Sequence, residues 1–176
     1  ITIVSNLTQS NKIENISIDF EQVDFNEFTN QSDILRVALN KPLLPNKKLE
    51  INITYEIKVP NAKFTSYGKT KTGYHLRYWY LAPARYTTYW MLMSNLNMDD
   101  LIINPTDYEI KIELPKTYHI QSNLYKYETK KENTNAYFLI GKKKNDIILT
   151  IDTEIKFTHH KTDDLEIVTD IIGKEI

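Results

Sequence analysis

Cysteine does not occur in this chain of 176 residues. That excludes a disulfide framework, thiol nucleophiles and cysteine-ligated metal centres. Glycine is nearly as scarce, with four residues in all. A phosphate-cradling loop needs several glycines close together, so nucleotide-binding loops are not expected. No run of about eighteen apolar residues exists, and the first residues, ITIVSNLTQSNK, lack a basic segment followed by an apolar one. Neither a membrane-spanning helix nor a secretory leader is therefore read here, and no membrane insertion is expected. An excess of either charge is missing too: 22 Lys and Arg face 23 Asp and Glu, for a formal net charge of −1. Nucleic acid is accordingly not an expected partner.

What is present is ordinary for a globular domain, with 41% hydrophobic and 26% charged residues. A chain of this length buries about two-thirds of its unfolded surface, enough for a core without cross-links. Residues 1–176 are read as one domain, cut from a longer protein because the chain opens inside a strand-like run and ends without a stop signal. Such a parent is free to reside outside the cytoplasm or on a membrane, and the chain does not say where.

Alternation dominates the pattern. In residues 107–115, DYEIKIELP, Tyr108, Ile110, Ile112 and Leu114 share one face and Asp107, Glu109, Lys111 and Glu113 the other. Residues 48–59 alternate equally well, from Leu49 and Ile51 to Val59. Side chains point to opposite faces along a strand, so both runs predict one dry and one wet face. Shorter runs at 1–7, 16–20, 34–39, 74–81, 118–122, 124–128, 136–140, 147–151, 155–158 and 165–168 are rich in Ile, Val, Thr and Tyr, residues that suit a pleated surface. Turn signals separate them at Pro45-Asn46, Pro60-Asn61, Gly68, Asn104-Pro105, Pro115, Gly141 and Asn145-Asp146. About eleven or twelve strands so spaced predict an all-β fold, a β-sandwich of two packed, mostly antiparallel sheets with little or no helix. Residues 91–103 are read as a long loop with at most a helical turn. Lys142, Lys143 and Lys144 are expected at the solvated tip of a hairpin.

Chemistry is sparse. His75, His119, His159 and His160 are the only imidazoles, and no His-Glu-x-x-His sequence occurs. His159 and His160 beside Asp163 and Asp164 offer ligand types for a metal, but neighbours on a strand diverge, so no metal site is expected in this chain. No Gly-x-Ser-x-Gly elbow appears, and nothing separates the acidities of the paired aspartates as acid–base catalysis requires. No catalytic residue is assigned, and the chain is expected not to be an enzyme by itself. Four Asn-x-Ser/Thr sequons, at Asn6, Asn15, Asn30 and Asn52, are unremarkable in an asparagine-rich chain.

One tract rises above this background. Tyr78, Trp79, Arg85, Tyr86, Tyr89 and Trp90 crowd into a short segment, and Trp and Tyr beside Arg is the composition of contact hot spots and of sugar-stacking platforms. The competing reading is core packing, which large aromatics also serve.

Taken in order, these features resemble the N-terminal β-domain of the aminopeptidase N family of zinc metallopeptidases, the gluzincins. Residues 41–55, KPLLPNKKLEINITY, are similar to the family's "pro-leu-x-pro-gly-x-x-x-x-leu-x-ile-x-tyr" run ahead of a long strand. Residues 76–83 resemble its Trp-Tyr strand, 107–123 its acidic-aromatic strand ending in Leu-Pro, and 157–170, FTHHKTDDLEIVTD, the exit towards the peptidase domain. Residues 159–176 are thus expected to lead out of the domain. The family's Pro-Cys-x-Asp-Glu-Pro segment is missing, with LAPARY at 81–86 standing near its place, so no substrate-anchoring residue carries over. The resemblance implies a non-catalytic module that docks in cis on a downstream peptidase domain and walls one side of its peptide-substrate cleft. Zinc would then belong to that following domain and no cofactor to this chain. The implied contact surface is residues 78–93. A different class remains open: an extracellular module that binds carbohydrate or peptide on the same aromatics.

Overall fold

The computed structural model describes residues 2–4, 11–28, 31–63, 66–91, 103–154 and 158–169. Among them every regular element is a strand: β1 (Thr2–Val4), β2 (Asn11–Ile18), β3 (Glu21–Gln22), β4 (Phe25–Phe28), β5 (Gln31–Val37), β6 (Ile51–Ile57), β7 (Gly68–Lys69), β8 (Gly73–Arg77), β9 (Ala82–Pro83), β10 (Arg85–Tyr86), β11 (Trp90–Met91), β12 (Thr106–Pro115), β13 (His119–Ser122), β14 (Tyr125–Lys130), β15 (Thr134–Lys144), β16 (Ile148–Asp152), β17 (Thr158–Lys161) and β18 (Glu166–Thr169). All strand pairs are antiparallel; one isolated bridge, Asn61 to Lys69, is parallel. The all-β class holds. The strands are more numerous and the sheets smaller than the sequence pattern implies.

The two clean alternations land where expected. In β6, Ile51, Ile53, Tyr55 and Ile57 are half-buried and Asn52, Thr54 and Glu56 exposed. In β12, Tyr108, Ile110, Ile112 and Leu114 turn inward and Glu109, Lys111 and Glu113 outward. Strand β12 pairs with β15, which pairs with β14, to give a sheet of order β12-β15-β14. Its inner face packs on a second sheet, β13-β16-β8-β7, through Tyr137 and Leu139 on one side and Leu76, Ile120, Leu149 and Ile151 on the other. A second core lies between the sheets β4-β5-β1-β9 and β3-β2-β6, where Ile16, Leu35 and Val37 meet Ile13, Ile18, Ile51 and Ile53. Burial of such side chains contributes about 1.5–3 kcal/mol each.

Residues 78–84 stitch the two cores together. Tyr80 packs at the edge of the larger core and also on a small cluster of Ile34, Ala82 and Ala84, while Leu81 packs into the core of Ile16 and Leu35. Strand β5 is therefore buried on both faces, by Ile34 on one and Leu35 on the other, which is why its sequence shows no alternation.

Three sequence expectations need correction. The strand expected over 74–81 stops at Arg77, because Tyr78 takes a left-handed backbone with φ of 53° and breaks the extended run. Lys142, Lys143 and Lys144 are the end of β15 and not a hairpin tip: β15 and β16 lie in different sheets, so the chain crosses between layers there. Asp107 stabilises that crossing by accepting the Lys143 amide proton at 2.9 Å. Gly141, expected in a turn, sits within β15 opposite Tyr108, and the space its side chain would take is filled by the Leu124 side chain. The 91–103 loop falls almost wholly in residues 92–102, outside the described residues, as do 5–7 of the first expected strand and 155–157 of a later one.

A half-buried ion pair fastens the start of this crossing to β8. Arg77 Nε donates to Asp146 Oδ2 at 2.5 Å, and that hydrogen bond, with the carboxylate's charge, outweighs the opposing effect of burial and holds the guanidinium's proton more tightly than usual. The other Asp146 oxygen is buried without a partner among the described residues. Removing the cation would strand the carboxylate, so Arg77→Ala is expected to cost about 2 kcal/mol. The urea midpoint should fall with the slope unchanged; an unaltered midpoint would mean the pair is merely superficial.

Candidate functional site

The six residues of the aromatic tract divide into three groups. Trp79 turns into the larger core, its ring edge-to-face with Tyr80 at 5.7 Å, and Tyr80 stands likewise to Tyr108 at 5.7 Å. The Tyr80 and Tyr108 hydroxyls are 3.2 Å apart. Burial, followed by that hydrogen bond, pushes the Tyr80 phenol far above its ordinary range. The Trp79 indole N–H is buried without a partner among the described residues. Trp79 is thus part of the scaffold, the core-packing reading of the tract.

Tyr78 forms the second group. The Arg77 guanidinium lies 4.5 Å from its ring centroid and 5.8 Å from that of Tyr67, within cation–π range. Beneath, Tyr78 packs on the Ile34, Ala82 and Ala84 cluster. The left-handed turn at Tyr78 has a consequence: it separates Tyr78 from Trp79, so that each ring packs on a different cluster.

Arg85, Tyr86, Tyr89 and Trp90 form the third group, on the β10–β11 hairpin. Arg85 pairs with Met91 and Tyr86 with Trp90, and the Thr87 amide donates to the Tyr89 carbonyl at 3.0 Å to close the turn. The Tyr86 and Trp90 rings meet at 5.0 Å with a tilt of 60°. Trp90 rests its inner side on the Ile34, Ala82 and Ala84 cluster; the two alanines leave room for it. Tyr86 is 59% and Tyr89 66% exposed, and Arg85 is exposed too. A two-stranded ribbon carrying three solvent-facing contact residues on a small apolar seat is suited to recognition by stacking and by guanidinium hydrogen bonds.

A second aromatic surface was not singled out from the sequence. On the outer face of β14 and β15, Tyr125, Tyr127, Phe138 and Ile140 are partly or largely exposed, with Tyr127 and Phe138 stacked at 4.7 Å and 4°. The signal was present in YKYETK at 125–130, whose alternation puts both tyrosines on one side. Beside it on β12, Glu113 accepts from Lys111 at 2.8 Å and Lys131 at 2.7 Å, which lowers its carboxyl to about 2.

The histidines do not converge. His75 lies half-buried on β8, His119 is exposed on β13, and His159 and His160 are exposed neighbours on β17. His159 Nδ1 lies 3.0 Å from Glu166 Oε1 across the β17–β18 hairpin, a contact that holds the Glu166 carboxyl below its ordinary range. That hairpin occupies the stretch expected as the exit from the domain, with Asp163 and Asp164 in its turn. No group of three or more His, Asp or Glu among the described residues could hold a metal ion. No helix among them is long and apolar enough to cross a membrane. No protein-family model matches the chain, and no curated protein matches it.

Proposed function

We propose that this chain is a non-catalytic β module that docks in cis on a following domain through the β10–β11 hairpin. The supporting observation is the exposed hairpin carrying Arg85, Tyr86 and Tyr89 over the seated ring of Trp90. Exposed aromatics and Arg on a rigid base bind with little loss of side-chain freedom, which is how contact hot spots work. The resemblance to aminopeptidase N-terminal domains supplies the partner: a zinc-dependent peptidase domain, whose peptide cleft this module would wall on one side.

Docking is testable at Tyr89. The chain has no cysteine of its own, so Tyr89→Cys introduces a single reporter. Its alkylation, followed on the peptide by mass, is expected to slow about tenfold or more when the downstream sequence is present in the same polypeptide. An unchanged rate would sink the docking surface. The rival reading, carbohydrate or peptide stacked on the same rings, expects instead that the isolated chain binds such ligands saturably and loses that binding with Tyr86→Ala.

A further inference from the structure

A cleft of about 570 Å³ opens between β13, β14 and the β17–β18 hairpin, lined among others by Gln121, Tyr125, Lys126, Thr150, His159 and Glu166. That volume is in the range of small-molecule sites. Two polar residues on its wall are already committed to the fold. Asn123 donates to the Asp146 carbonyl and accepts from the Ile148 amide, both at 3.0 Å, and Ser122 accepts from the Leu124 amide at 3.2 Å.

The rest are differently placed. Lys126 Nζ donates to the Ile120 carbonyl at 2.8 Å and to Gln121 Oε1 at 3.4 Å, leaving one of its three N–H groups without a protein partner among the described residues. The Gln121 amide nitrogen, the Thr150 hydroxyl, His159 Nε2 and the second Glu166 oxygen likewise have no described partner. Donors and acceptors are therefore mixed within one cleft. Its formal charges, the Lys126 ammonium and the Glu166 carboxylate, cancel. Tyr125, 73% exposed, adds an aromatic ring to the wall.

We infer that this cleft binds a neutral polyhydroxylated ligand, one or two sugar rings. A carboxylate or phosphate would meet Glu166 as well as Lys126, so an anion gains little. An extended peptide would need the free edge of β13, the outermost strand of its sheet, yet Lys126 already occupies the Ile120 carbonyl there, as edge lysines do against strand addition. Vicinal hydroxyls, by contrast, both donate and accept. They match an amide, a hydroxyl, an ammonium and a carboxylate side by side, while the C–H face of a sugar stacks on an aromatic ring. The site is separate from the β10–β11 hairpin, so it stands or falls independently of the docking role.

The test is a titration of the ¹⁵N-labelled chain with glucose, galactose, mannose, N-acetylglucosamine and their β-1,4-linked disaccharides, with sodium acetate and an unstructured peptide as comparisons. At least one saccharide is expected to give saturable shifts at amides of 121–126, 148–150 and 158–167. Glu166→Gln, on an exposed hairpin and safe for folding, should weaken that binding about tenfold, and Thr150→Val should weaken it measurably. Lys126→Met should abolish it, but Lys126 is half-buried, so the Glu166 and Thr150 variants decide if it fails to fold. No saturation by any saccharide, saturation by acetate or the peptide alone, or shifts confined to 85–91 would each overturn the inference.

Discussion

Leu139→Ala is expected to lower the unfolding free energy by about 3–4 kcal/mol, a large share of the 5–15 kcal/mol typical of a domain. Leu139 has 0% exposure and sits at the middle of the central strand β15, with Ile110 beside it on β12 and Lys126 on β14. Across the layer its side chain belongs to the cluster of Ile120, Leu149 and Ile151. Truncation therefore removes apolar contact from both sheets and leaves a cavity that paired strands cannot close by moving alone. Ile140, the next residue, points outward and is 37% exposed; Ile140→Ala should cost about 1 kcal/mol or less. Urea denaturation of the two variants measures the contrast. Equal losses would mean that the sandwich is not packed as described.

Gly73→Ala is expected to be harsher still, costing more than about 4 kcal/mol or preventing folding. Gly73 starts β8 and lies opposite Asp152 on β16. A Cβ there would fall inside the contact distance of the Ile151 carbonyl oxygen and 2.7 Å from the Asp152 Cα. Both are backbone atoms, and β8 could yield only by separating from β16. The Gly73 amide also donates to Thr70 Oγ1 at 2.9 Å, and Asp152 accepts from the Thr72 hydroxyl at 2.7 Å, so the corner is held on both sides. Gly141→Ala is the informative comparison. Its Cβ would meet the end of the Leu124 side chain at 2.5 Å, and a side chain can turn away where a backbone cannot. A loss of about 1–2 kcal/mol is expected there, read as a shift in thermal midpoint. If the two glycine variants were equally stable, the close approach of β8 to β16 would be refuted.

Legibility in the sequence followed the range of the interaction. β6 and β12 were readable because each has one wet face, and alternation records that locally. β5 was harder, since Ile34 and Leu35 are buried on opposite faces and leave no alternation to see. The end of β8 is not legible because the left-handed turn at Tyr78 has no glycine or asparagine to announce it; it is accompanied by the guanidinium over the Tyr78 ring and by the Arg77–Asp146 pair, a contact spanning 69 positions. The tract of aromatics was visible as composition. Its division was not: Trp79 and Trp90 look alike in sequence, yet one lines the main core and the other the seat of a hairpin.

The sequence by itself determined the all-β class, the wet and dry faces of the long strands, the lack of any thiol, the scarcity of glycine and the near balance of charge. Those are properties of composition and of period two along the chain, and they need no partner to be read. The tertiary structure decided which strands share a sheet, which aromatics face solvent, and that Lys126, Thr150 and Glu166 line one cleft. Each of these depends on pairing between distant segments, where strands of similar pattern are interchangeable until packing and register choose among them.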